Sequence, residues 1–99
     1  IGAANERFFR WVWEHKPHQC EECLRPLHEY SSVYCSHILT RGAFPEMAHD
    51  PRNINILCFK HHDQWEHKDR ERMRIHERNK NTIELLIKDY RHEERYCKE

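Results

Sequence analysis

No apolar run in this chain approaches the about 20 residues that a membrane-crossing helix needs, so no membrane partner is expected. There is no excess of either charge: 17 Lys and Arg balance 17 Asp and Glu, for a formal net charge of zero. Strong generic nucleic-acid binding usually carries a basic excess, so it is not expected. A local basic groove, or a phosphate contact assisted by a metal, remains open. Apolar residues are also scarce, at 37%, with a mean hydropathy of −1.12. Ninety-nine residues make one domain, 1–99. A domain of that size buries only roughly 60–65% of its unfolded surface, so its core is marginal. No internal repeat, low-complexity tract or apolar signal segment is evident, and a reducing cytoplasm is the expected setting.

What the chain has in plenty is cysteine and histidine, five and ten respectively. Cys20-Glu21-Glu22-Cys23 is followed much later by Cys58-Phe59-Lys60-His61. Each pair places ligands at i and i+3, so two side chains on one tight turn can grip the same ion. Three thiolates and an imidazole form a tetrahedral set for structural zinc, and a structural metal offsets a small core. Four bridged cysteines would be the secreted reading, but His61 completes the ligand set and no apolar signal segment is evident, which favours metal over disulfides. His62 is the other imidazole that could serve, but the spacing favours His61. Cys35 and Cys97 read as small apolar residues.

The local patterns predict an α+β domain. Residues 5–16 read as an N-terminal helix, with Asn5 as N-cap, Phe8, Phe9, Val12 and Trp13 on one face, and Pro17 as the stop. Residues 32–39 read as a strand, being rich in β-branched and aromatic types. A loop containing Gly42, Pro45 and Pro51 follows, then a short strand over 54–57 and a helix from Phe59 to about Asp69, anchored by Phe59 and Trp65. Thr82 is the expected cap of a last helix carrying Ile83, Leu86, Ile87, Tyr90 and Cys97 on one face. The run from Asp69 to Arg74 alternates in sign and reads as an exposed, salt-bridged helix face. Trp11, Trp13 and Trp65 read as core. His15, His18, His28, His49, His76 and His92 read as solvated.

In order, Cys20 and Cys23, Ser36-His37-Ile38, Asp50-Pro51-Arg52-Asn53, Cys58 and His61-His62 resemble the HNH endonucleases, small phage and bacterial proteins with a ββα-metal (His-Me finger) core. The resemblance covers residues 20–67 and implies a zinc-stapled core there, with a charged helical region over 68–99. It further implies hydrolysis of phosphodiester bonds in DNA, in duplex form. By this likeness His37 is the general base, Asn53 orients its ring across the loop, and His62 holds a catalytic divalent ion. Mg²⁺ is the expected ion, although an imidazole ligand suits Mn²⁺, Ni²⁺ or Zn²⁺ better. The family pattern puts Asp or His, a metal ligand, just before the base, where this chain has Ser36. Glu66, one turn after His62, is the best substitute ligand, followed by His67 and Asp63. Arg41 is a candidate phosphate contact. A homodimer through the C-terminal helix is a further expectation. The rival function is a zinc module that binds nucleic acid or protein without catalysis, which Ser36 and the zero net charge favour.

Overall fold

The structure, a computed structural model, describes residues 2–98, with side chains described as far as Arg91. Among these residues three α-helices surround a two-stranded sheet, giving a small α+β fold. Helix α1 (Gly2–Glu14) comes first, then strand β1 (Cys35–His37), strand β2 (Ile54–Ile56), helix α2 (Phe59–His67) and helix α3 (His76–Lys98). The strands are antiparallel, with Cys35 opposite Ile56, Ser36 opposite Asn55 and His37 opposite Ile54. Every residue of β2 is buried, because its two faces are both covered.

The core joins Val12 and Trp13 of α1 to Cys35, Ile38, Ile54, Ile56 and Leu57 around the sheet, and to Trp65, Met73 and Ile75 beyond it. Trp65 is 2% exposed, and its indole N–H donates to the carbonyl of Ile38 at 3.2 Å, which fixes α2 against the end of β1. Two other aromatic assignments change. Trp11 is 47% exposed and stacks on His15 with centroids 4.0 Å apart, and Phe59 is 64% exposed rather than an anchor.

Boundaries shift for identifiable reasons. Helix α1 starts before Asn5, whose side chain is bonded to His49 Nε2 at 2.6 Å instead of capping. It also ends at Glu14, ahead of Pro17. The segment read as a strand over 32–39 begins as a 3₁₀ turn, Ser32–Tyr34, and only three residues pair. Thr82 lies inside α3, where its hydroxyl donates to the Arg78 carbonyl at 3.1 Å.

The stretch from Asp69 to Arg74 is not a helix face. It folds into a 3₁₀ turn, Arg70–Arg72, because Met73 and Ile75 must reach the core. Arg70 lies over the Trp65 ring at 4.5 Å. Arg74 donates to the carbonyls of Glu21 and Glu22 at 2.9 and 3.1 Å. Helix α3 packs on its own domain: Leu86 is fully buried, Tyr90 donates to Asp50 at 3.0 Å, and Asp89 pairs with Arg52 at 2.6 Å. The expectations for Cys97 and His92 fall outside the described side chains.

Candidate functional site

The cysteine pairs of the sequence converge. Cys20, Cys23, Cys58 and His61 place one ligand atom each within 4.8 Å of one another, and the group could hold a metal ion such as zinc. His61 Nδ1 lies 3.3 Å from Cys58 Sγ and 3.7 Å from Cys20 Sγ. A tetrahedral zinc with ordinary Zn–S and Zn–N bonds would set those atoms about 3.6 Å apart, so the donors fit the ion. His62 is not a member of this group. No disulfide joins the described cysteines. Cys35, outside the cluster, is buried against the Phe9 carbonyl, and burial pushes its thiol up to about 11.

The knuckle is built by backbone geometry. The Leu24 N–H donates to the Cys20 carbonyl at 2.8 Å, and Leu24 takes a left-handed φ of 64°, which closes the turn tightly enough for both sulfurs to face inward. Desolvation raises the Cys20 thiol above its ordinary value. At Cys23 slight desolvation is outweighed by the Arg25 backbone N–H and the Cys20 and Cys58 side chains, which lower it. Desolvation, with the charges of Lys60 and Arg25, lowers His61, so its ring stays neutral and able to ligate.

Glu21 and Glu22, mere spacers in the sequence pattern, are structural hubs. Glu21 accepts from the Ile56 N–H at 2.6 Å, from Lys16 at 3.0 Å and from Arg78 at 2.5 Å. Glu22 accepts the backbone N–H groups of Arg74 and Ile75 at 2.8 and 3.0 Å. Two charged residues inside a knuckle of a mostly polar chain were the only sequence signal for this role.

The second constellation spans β1, the 38–53 loop and α2. His37 is half-buried, with the edge of Phe9 against it at 5.8 Å. Its Nε2 lies 2.9 Å from the Ala48 carbonyl. A carbonyl only accepts, so Nε2 carries the proton and Nδ1 keeps its lone pair. Desolvation lowers the pKa of the ring. The Ala48 bond and the charge of Glu66 oppose that shift, and the charges of Arg41 and His49 add to it.

Asn53 does not bond to His37. Its Oδ1 accepts from the Leu39 N–H at 2.8 Å, and its Nδ2 donates to the carbonyls of Leu39 and Met47 at 3.0 and 3.2 Å. It therefore clips the two ends of the loop together and sets the height of Ala48, whose carbonyl holds His37. Asn53→Ala would leave the Leu39 N–H and carbonyl unpaired beside a fully buried site, while the Met47 carbonyl keeps the Asp50 N–H at 3.2 Å. Each unmade bond costs about 1–3 kcal/mol, so a denaturant titration should show a loss of several kcal/mol. An unchanged midpoint would remove Asn53 from this role.

On α2, the His62 N–H at Nδ1 donates to the Val33 carbonyl at 2.6 Å. This leaves the Nε2 lone pair facing Glu66 Oε1 at 2.9 Å. Two acceptors at that distance need a proton or a cation to share. Adjacent ligands on an octahedral ion with bonds of about 2.1 Å sit about 3.0 Å apart, so the pair also suits an ion. Asp63 is engaged by Lys68 at 2.9 Å, and His67 reaches Glu66 only at 3.6 Å. Ser36 is fully buried, and its hydroxyl has no partner among the described residues. Strand alternation turns it to the face opposite His37.

No protein-family model matches the chain, and no solved structure matches it. Curated relatives do. Maturase K of Pseudotsuga menziesii is 45% identical to it over 56 residues, and Maturase K of Larix laricina is 43% identical over 56 residues. Each match covers 56% of this chain but only 10% of the relative, so the likeness is to a small segment of those proteins.

Proposed function

We propose that this chain is a metal-dependent endonuclease of the HNH type, in which β1, β2 and α2 form a ββα-metal core stapled by zinc at Cys20, Cys23, Cys58 and His61. The observation that carries the reading is the His62–Glu66 pair, an imidazole lone pair and a carboxylate 2.9 Å apart with no shared donor but a proton. The half-buried base candidate His37 lies within the field of that same carboxylate. A divalent ion bound there would neutralise charge on a scissile phosphate and on the leaving oxygen. His37 Nδ1 would take the proton of the attacking water, since a neutral imidazole near pH 7 suits that task. The Ala48 carbonyl holds the ring in the tautomer required, and Asn53 holds Ala48 in place. Arg41, whose charge reaches His37, would contact a flanking phosphate.

Duplex DNA is the substrate that the HNH resemblance implies, and two side chains and one ion that act on phosphate would cut it without reading bases. The second reading, a zinc module without catalysis, draws on Ser36: a buried serine adds no third protein ligand, so the ion would rest on two.

The test is cleavage of supercoiled plasmid, and in parallel of a folded RNA, by zinc-loaded protein with Mg²⁺, Mn²⁺, Ni²⁺ or no added ion. Nicking that requires the ion and is lost in Glu66→Gln supports the nuclease. Absence of cutting with every ion, from protein that melts cooperatively, transfers the reading to the binding module. Cutting of RNA alone corrects the substrate.

A further inference from the structure

We infer that Phe59 is a stacking platform for an unpaired base of a nucleic-acid strand, held in a groove beside the cysteine cluster one helical turn from His62. The inference rests on the nuclease reading for nucleic acid as the ligand class, and departs from it in placing an unpaired strand, not a duplex, at this groove. Phe59 opens α2 and is 64% exposed, although it is a large aromatic in a chain with few apolar residues. The edge of Tyr34 supports its ring, with centroids 5.7 Å apart. Tyr34 and Phe59 line an open groove of about 590 Å³, together with Arg25, His28, Glu29 and Lys60.

Three observations select the occupant. First, helix geometry puts Phe59, His62 and Glu66 on one stripe of α2, with Phe59 about 4.5 Å along the axis from His62. A strand whose phosphate reaches His62 and Glu66 therefore carries a neighbouring base to the Phe59 ring. Second, Val33 follows the same path: its carbonyl orients His62, its side chain is 38% exposed, and Tyr34 is next in sequence. The apolar surface is thus continuous with the residues that hold His62. Third, Arg25 and Lys60 line the same groove as the ring, and neither has an ion pair among the described residues. Arg25 and Lys60 therefore offer cations to an anionic backbone beside the Phe59 ring, with Glu29 also lining the groove and the Cys23 and Cys58 sulfurs turned to the cluster they share with His61. An aromatic face flanked by cations is the arrangement that takes single strands without reading sequence.

The experiment is fluorescence anisotropy with a fluorescein-labelled single-stranded DNA dodecamer and zinc-loaded protein, without added Mg²⁺ or Mn²⁺ so that no cutting intervenes. Loss of one base–aromatic stack should weaken binding of Phe59→Ala by about 5- to 100-fold. Phe59→Trp should bind within about twofold of the parent, and Phe59→Leu, which keeps apolar bulk but lacks a π face, should behave like Phe59→Ala. The melting temperature should not move, because the side chain is largely outside the core. The inference is overturned if the parent protein does not bind the strand, if Phe59→Ala binds equally well, or if Phe59→Leu restores affinity. It is separable from catalysis. Binding that depends on Phe59, in a protein that cuts with no ion, would retire the nuclease and keep the platform. Cutting by a protein indifferent to Phe59 would do the reverse.

Discussion

Stripping the protein of metal should unfold the domain, for the Cys20–Cys23–Cys58–His61 cluster could hold an ion such as zinc. A structural zinc supplies about 10–16 kcal/mol of apparent binding free energy at neutral pH in small zinc domains. A domain of this size has about 5–15 kcal/mol of total stability. The ion's share is therefore as large as the whole, and its loss leaves no margin. The topology agrees with the magnitudes. Between the two cysteines, Glu21 is bonded to β2 and to α3, and Glu22 receives the N–H groups that lead into α3. A knuckle freed from its ion releases both attachments at once. Cys23→Ser gives the sharper version of the test. Cys23 is exposed and free of disulfides, so changing its sulfur to oxygen removes little packing. A large drop in melting temperature then reports coordination alone. Substitution by Co²⁺ should give thiolate charge-transfer absorption that weakens in the variant. Acid should act in the same direction, since burial raises the Cys20 thiol and protons compete with the ion. A cooperative melt that is unchanged after verified metal removal would defeat the zinc assignment.

Much of this arrangement was legible in the residues, and the failures share one cause. Paired ligands at i and i+3 announce themselves because coordination fixes both residue type and spacing; neither depends on the rest of the fold. Trp65 was also readable, as a bulky apolar residue in a polar helix. What tertiary packing decides was not readable. The run from Asp69 to Arg74 has a helix-like charge pattern, yet it bends because Met73 and Ile75 must enter the core and Arg74 must reach the knuckle carbonyls. Phe59 looked like an anchor by type and is exposed by position. Asn5 and Thr82 had the chemistry of caps, but their side chains are bonded to His49 and to the Arg78 carbonyl. The Asp50-Pro51-Arg52 segment stood in the sequence only as the end of a loop leading to Asn53. It is also a clasp, for Arg52 and Asp50 together hold Asp89 and Tyr90 of α3. The family likeness implied that Asn53 acts across the loop to orient His37; its side chain bonds Leu39 and Met47 of that loop, the latter next to Ala48.

On the nuclease reading proposed above, His37→Ala should cut metal-dependent nicking steeply while leaving the fold and the metal cluster intact. A positioned general base contributes about 10²–10⁴-fold, and a fall of that size should appear in single-turnover rates. The side chain lies at the end of a short strand with one bond to a carbonyl, so its removal disturbs no other described hydrogen bond except that one. The pH dependence separates a base from a structural imidazole. Burial lowers the folded-state pKa of His37 below its ordinary 6.5, so the catalytic form is already dominant at neutral pH. The parent rate should rise with pH on a limb whose midpoint is below 6.5, and the residual rate of His37→Ala should lack that limb. Stability carries the complementary sign. Below pH 6.5 the unfolded chain takes up the proton before the folded one does, so this group's contribution is present above 6.5 and is lost as pH falls through the folded pKa. The parent should therefore lose more stability than His37→Ala between neutrality and mild acid, with the zinc cluster common to both and cancelling in the difference. If His37→Ala cuts at the parental rate, another group is the base. If it fails to fold at neutral pH, the histidine belongs to the scaffold, and the half-burial that makes it a good base would instead be the mark of a core residue.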